Sequence, residues 1–288
     1  PLVANEVDVR EGDVVLAING TPTLGAAHPG ALLRRKAGKE VLLSVRRGTG
    51  APRDVIVRPL SVGRDTELRY DAWEFDRRKR VDALSNGRIG YVHLRAMGTE
   101  DMNQWQRDFF PVYQRDGLIV DVRNNRGGNV DAWILSRLIR RSWMWWQPRT
   151  GRPFGNMPWA FDGKITVLVN ERTASDGEVF AEGIRRLGLG KVIGNRTWGG
   201  EIWLSQDNFL VDKGIATAAE TGVYGAEGRW LIENHGVDPD IVVENMPYET
   251  FGGRDEQLEV AVRELLEELA RSPVKRPAAP RYPDKSVR

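Results

Sequence analysis

The first part of the chain alternates short apolar runs with turn-forming residues. Glu11-Gly12-Asp13 reads as a turn, Val14-Val15-Leu16-Ala17-Ile18 as a short buried strand, and Asn19-Gly20 as the tight turn that ends it. Gly30 to Arg35 reads as a short helix with Leu32 and Leu33 inward. Val41 to Arg47 predicts a strand, Gly48-Thr49-Gly50 a turn, and Asp54 to Arg58 the partner strand. Residues 1–61 therefore form a small β-rich unit. Residues 62–88 break the rhythm with dense charge and read as a connecting segment. Their Arg77-Arg78-Lys79-Arg80 run lacks the stacking aromatics of a nucleic-acid groove, so it reads as a solvated face or a strand edge.

From Ile89 the pattern changes to alternating strands and helices. Ile89 to Leu94, Leu118 to Val122 and Ile165 to Val169 are continuous apolar runs, as buried parallel strands require. Met102 to Tyr113 is a helix with Trp105 and Phe109 on one face, and Val130 to Arg141 and Gly177 to Leu187 are two more. Glu256 to Arg271 is amphipathic, with Leu258, Val262, Leu265, Leu266 and Leu269 inward. This order implies an α/β domain over residues 89–271, with its chemistry on the loops that follow strands. Residues 272–288 are rich in Pro and charge and are expected to be disordered.

Composition narrows the chemistry. At 288 residues the chain has room for one large domain or two ordinary ones. No apolar run approaches the roughly 18–20 residues that span a bilayer, so no membrane partner is expected. The 42 basic and 40 acidic side chains nearly cancel, which gives no reason to expect nucleic acid. With 0 Cys there is no thiol nucleophile and no thiolate metal site. The 3 His (His28, His93 and His235) form no H-E-x-x-H arrangement, so neither a metal nor another cofactor is expected. Pro1-Leu2-Val3-Ala4 has no initiator Met and no signal-peptide pattern, and reads like a cut through a folded module. The 10 Trp imply a well-anchored core or extensive interfaces. For Trp143-Met144-Trp145-Trp146, core packing is the expectation and an interface the alternative.

Two strand-to-helix loops carry candidate chemistry. Gly127-Gly128 can free backbone N–H groups for an oxyanion or a phosphate, or can simply make a tight turn. No Lys-Ser/Thr pair follows, which argues against a phosphate loop. In Thr173-Ala174-Ser175-Asp176-Gly177-Glu178 the serine opens a helix. Ser175 with Glu178 three residues on is a capping box; equally, Ser175 is a nucleophile presented at the positive end of the helix dipole.

The stretch G-D-V-V-L-A-I-N-G, followed by a helix and a strand pair, resembles the later half of a PDZ domain of the protease-associated type. Further on, five stretches in order resemble the S41 peptidase family in its tricorn-type branch. They are G-Y-V-H-L, L-I-V-D-V-R-N-N-R-G-G, N-E-R-T-A-S-D-G-E, L-G-L-G-K-V-I-G-N-R-T-W-G-G and E-N-H-G-V-D-P-D. The resemblance implies a crotonase-like α/β catalytic domain preceded by a partial PDZ domain, and a cytoplasmic serine peptidase acting on oligopeptides as a homo-oligomer. It implies that Ser175 is the nucleophile, that the N–H groups of Gly128 and Asp176 form the oxyanion hole, and that Glu233 is the acidic member behind the base. In that branch the base histidine precedes the PDZ domain, so here it is expected upstream of Pro1, and these 288 residues alone are expected to be inactive. His93 is expected to be a core residue, His28 a helix-start residue, and His235 a loop residue with a lesser claim to be the base. The other branch uses a lysine base, which Trp198-Gly199-Gly200-Glu201 lacks. Two alternatives come from other classes: a non-catalytic peptide-binding module with the same fold, and a crotonase-like thioester enzyme, for which Ser175 would have no use.

Overall fold

The computed structural model describes residues 1–203, 209–216, 219–283 and 286. The chain divides into two compact units, Pro1–Glu74 and Phe75–Arg288. The first is a four-stranded antiparallel sheet of β1 (Val14–Ile18), β2 (Thr21–Pro22), β3 (Val41–Arg46) and β4 (Arg53–Val57), in the order β2-β1-β3-β4. Asn19 and Gly20, both at positive φ, make the turn that pairs Ile18 with Thr21. Strict alternation in β3 sends Val41, Leu43 and Val45 inward, where they meet Val7, Val9, Ile18, Val55 and Val57. The short helix α1 (Pro29–Leu32) is capped by His28, whose Nδ1 accepts the Gly30 N–H at 3.0 Å.

The division falls inside a 24-residue helix, α2 (Val62–Ser85), where the sequence predicted only a charged connection. The basic run lies on its second half rather than on a strand edge. Within the second unit Arg77 pairs with Asp255 at 3.0 Å and Arg78 with Asp108 at 3.0 Å, and Arg80 pairs with Glu259.

The second unit is built on a five-stranded parallel sheet. In chain order its elements are β5 (Ile89–His93), α3 (Thr99–Phe109), β6 (Gly117–Asp121), α4 (Asp131–Leu138), the small hairpin β7 (Trp145–Trp146) and β8 (Phe154–Gly155), β9 (Lys164–Val169), α5 (Asp176–Arg186), β10 (Gly190–Gly194), β11 (Ile241–Val242), α6 (Pro247–Phe251) and α7 (Glu256–Arg271). The order across the sheet is β11-β10-β9-β6-β5. The period of two explains why these strands are apolar throughout. Leu118 and Val120 face one core with Trp105, Phe109, Ile134 and Phe180, while Ile119 faces the other with Leu258, Val262, Leu265 and Val81. Helices thus cover both faces, and every strand-to-helix loop leaves from the same edge. Because β6 and β9 are neighbours, the loops after them meet.

The tryptophans do not follow the core expectation. Trp105 is the only one of the ten in the core. Trp143, Trp145 and Trp146 are exposed on and beside the β7–β8 hairpin. Residues 272–283 hold no helix or strand, although Arg276 donates to Asp116 at 2.8 Å. Among the described residues no helix is long and apolar enough to cross a membrane.

Candidate active site

Beneath the loop that follows β6 lies a buried charge network. Arg123 is bidentate to Asp121, with its nearest nitrogen 2.6 Å away, and reaches Asp255 at 2.7 Å; Tyr91 donates its hydroxyl to Asp121 at 2.8 Å. Burial pushes both carboxyls up, but the Arg123 guanidinium outweighs it and holds Asp121 and Asp255 below the usual carboxylate range. Asp255 also caps α7 by accepting the Leu258 N–H. The start of the loop is thereby fixed to the helix that closes the sheet. His93 is fully buried beside this network, its Nδ1 2.8 Å from the Asp121 carbonyl.

The loop then turns sharply through Gly127 and Gly128, both at positive φ. Only glycine fits either place. A Cβ on Gly128 would sit 1.9 Å from the Met97 carbonyl oxygen, and one on Gly127 would sit 2.5 Å from the Ser175 Cβ. Hydrogen bonds from Met97 N–H to the Gly127 carbonyl and from Asn129 N–H to the Met97 carbonyl, each 2.8 Å, bracket Gly128.

Ser175 opens α5 in a conformation that an L-residue rarely adopts, φ 54° and ψ −128°. Such strain, about 1–3 kcal/mol, persists only where the surroundings impose it, and it concentrates at functional sites. Half of the predicted capping box forms. The Glu178 carboxylate accepts the Ser175 N–H at 2.9 Å, but the Glu178 N–H goes to the Ser175 carbonyl at 2.7 Å and not to its hydroxyl. The Ser175 Oγ makes no capping bond. It lies against Gly127, and the Glu201 carboxyl is its polar neighbour across the loops. Among the described residues neither the Gly128 nor the Asp176 N–H is taken up by another group.

Glu178 does more than cap. Fully buried, its carboxylate also accepts the Gly199 N–H at 2.7 Å, the Gly200 N–H at 3.1 Å and the Thr197 hydroxyl. Four donors satisfy this buried charge and draw the loop after β10 over Ser175. Glu233 accepts the Glu201 N–H at 2.6 Å and is flanked by two residues at positive φ, Ile232 and Asn234. A β-branched residue such as Ile232 at φ 68° is a genuine outlier. The structure therefore brings Gly128, Ser175 and Asp176 together and holds Glu233 on the backbone of Glu201, whose carboxyl neighbours Ser175. His235 is exposed and points its Nε2 to Asp238 at 2.6 Å.

Glu201 is the residue that the sequence reading passed over. Its only local signal is an acid directly after a glycine pair in the loop after β10. Its Oε2 is buried with no partner among the described residues. Burial first, then the neighbouring Asp176 and Glu178 charges, raise the Glu201 carboxyl to about 7. Asp176 is likewise raised to about 7, by burial and then by the carboxyl of Asp131.

These two groups set the sign of a pH effect. Between about pH 4 and 7 the folded chain keeps protons that the unfolded chain releases, so their contribution to stability falls as pH rises through that window and is level above it. Melting temperature followed from pH 4.5 to 8 should decline, and the double variant Asp176→Asn/Glu201→Gln should flatten the decline. An unchanged slope in the double variant would remove these two groups as its source.

The profile of Peptidase family S41 matches residues 88–243, and that of the tricorn protease PDZ domain matches residues 1–62. The tricorn protease homolog 1 of Streptomyces coelicolor is 40% identical over 279 residues, which are 96% of this chain and 26% of that protein. The tricorn protease of Thermoplasma acidophilum is 33% identical over 258 residues, 90% of this chain and 24% of that protein. The crystal structure of a tricorn protease superposes with a TM-score of 0.80 at 33% identity, covering 90% of this chain and 25% of that one. The chain belongs to peptidase family S41. It spans about a quarter of the length of the curated relatives it matches.

Proposed function

We propose that the protein is a serine peptidase that cleaves oligopeptides, with Ser175 as nucleophile. The observation that supports this best is the state of Ser175: it is strained, excluded from helix capping, and flanked by two N–H groups that the fold leaves unused. In this reading a base takes the Ser175 proton as Oγ bonds to the peptide carbonyl carbon. The Gly128 and Asp176 N–H groups receive the developing oxyanion, and the proton passes to the departing amine as the C–N bond breaks. Water then cleaves the acyl-enzyme by the same steps. The base is a histidine on chain that precedes Pro1, and Glu233, with the Glu201 amide it holds, orients the groups around it. The domains of the proposal are a partial PDZ unit over 1–61, a connection over 62–88 and the catalytic domain over 89–271. Cytoplasmic action as a homo-oligomer belongs to the same proposal, and the exposed Trp143, Trp145 and Trp146 supply apolar surface for assembly.

A binding module would gain nothing from a strained serine whose hydroxyl caps no helix, and a thioester enzyme needs no nucleophile there. The test is hydrolysis of an internally quenched peptide by the full-length protein and its Glu233→Gln variant. Glu233→Gln should lower kcat by more than it raises KM, because the acid orients reacting groups and does not bind substrate. An unchanged kcat would take Glu233 out of the machinery.

A further inference from the structure

We infer that the side chain of Asp176 is a positioning residue for the oxyanion hole, tying the loop that carries the Gly128 N–H to the residue that supplies the second N–H. This rests on the peptidase reading above and deepens it. Asp176 Oδ2 accepts the Val130 N–H at 2.8 Å and the Asp131 N–H at 3.0 Å. Those amides lie just beyond Gly128, where the loop enters α4. Upstream, the same loop is held by Met97 on either side of Gly128. The Gly128 N–H is thus fixed from two directions, and one of the two anchors is Asp176 itself. An oxyanion hole works only if its two donors keep their spacing while charge develops. A single residue that gives one donor from its backbone and fixes the other with its side chain meets that need.

The carboxyl is committed to this task. Asp176 is 6% exposed, which leaves little of it open to a substrate. The charged groups facing it are carboxyls: Asp131 from α4 and Glu201 from the loop after β10. No cation pairs with it among the described residues. Burial first, then the neighbouring Asp131 carboxyl, raises the Asp176 carboxyl to about 7. Asparagine keeps the function: its carbonyl oxygen can accept the same two amides, Val130 N–H and Asp131 N–H.

The test uses the full-length protein with Asp176→Asn, Asp176→Ala, Asp176→Glu and Ser175→Ala side by side. Steady-state kinetics, melting temperature and inhibition by a peptide aldehyde, which forms a tetrahedral adduct, are measured for each. Asp176→Ala should lower kcat about 10²–10³-fold, the loss typical of one oxyanion donor. Its KM should stay within about twofold, and aldehyde affinity should fall together with kcat/KM. Asp176→Asn should retain kcat to within about tenfold. If Asp176→Ala does not fold, Asp176→Glu, which keeps the charge but displaces the oxygen, should show the kcat loss instead. Loss confined to KM, an Asn variant as poor as Ala or Glu, or full activity in Ala or Glu would each overturn the inference alone, provided Ser175→Ala is inactive. Turnover retained in Ser175→Ala would overturn the peptidase reading and this inference with it.

Discussion

Ser175→Ala in the full-length protein is expected to abolish peptide hydrolysis, by about 10⁴-fold or more, and to leave the melting temperature almost unchanged. The two halves of the prediction have separate physical grounds. Activity falls because alanine lacks the Oγ that the proposed mechanism uses as nucleophile. Stability holds because the Ser175 Oγ caps nothing, and the start of α5 is secured by the Ser175 backbone, whose N–H goes to Glu178 at 2.9 Å. Alanine keeps the Cβ and therefore the strain of φ 54°. Ser175→Gly should relieve that strain, so this second inactive variant should melt above the parent protein. If Ser175→Ala chiefly lowers the melting temperature and spares turnover, the serine is a helix cap after all.

The second large effect concerns the proton acceptor. None of the three histidines is bonded to Ser175: His28 caps α1, His93 is sealed in the core beside Asp121, and His235 turns outward to Asp238. On the proposed mechanism the base lies on chain that precedes Pro1, so residues 1–288 alone should hydrolyse peptides at least about 10³-fold more slowly than the longer protein that carries this segment. His235→Ala should leave the longer protein's kcat unchanged. Robust Ser175-dependent turnover by residues 1–288 would instead place the base among them. Glu201, the carboxyl that neighbours Ser175, would then be the residue to change, as Glu201→Gln, ahead of His235.

Much of this was legible in the sequence, and the parts that were not share physical causes. Leu118–Val122 and Ile165–Val169 announce buried strands because a parallel sheet covered on both faces needs apolar side chains at every position. Glu256–Arg271 is legible to the residue, since its stripe of Leu and Val, the capping Asp255 and the final Ser272 agree. By contrast α2 carries charge around most of its circumference, so no apolar face marks Val62–Ser85 as a helix. The strand β10 reads Gly-Lys-Val-Ile-Gly, too short an apolar run to stand out. The Trp143–Trp146 cluster was misplaced because size and hydrophobicity do not by themselves decide burial, and these side chains stand exposed. At the site, Ser175 and the Gly pair could be named from two loops, but that the Ser175 Oγ makes no capping bond is visible only in the Glu178 hydrogen bonds. The roles of Glu201 and of the Asp176 side chain exist only across loops that the sheet brings together, and no local pattern encodes them.

The most direct measurement is mass spectrometry of the full-length protein quenched with acid during turnover of an activated peptide ester. An acyl-enzyme on Ser175 gives the mass of the peptide's acyl part on the tryptic fragment that contains Ser175, absent in Ser175→Ala. Hydrolysis that proceeds with no adduct, or with the adduct on another residue, would contradict nucleophilic catalysis by Ser175.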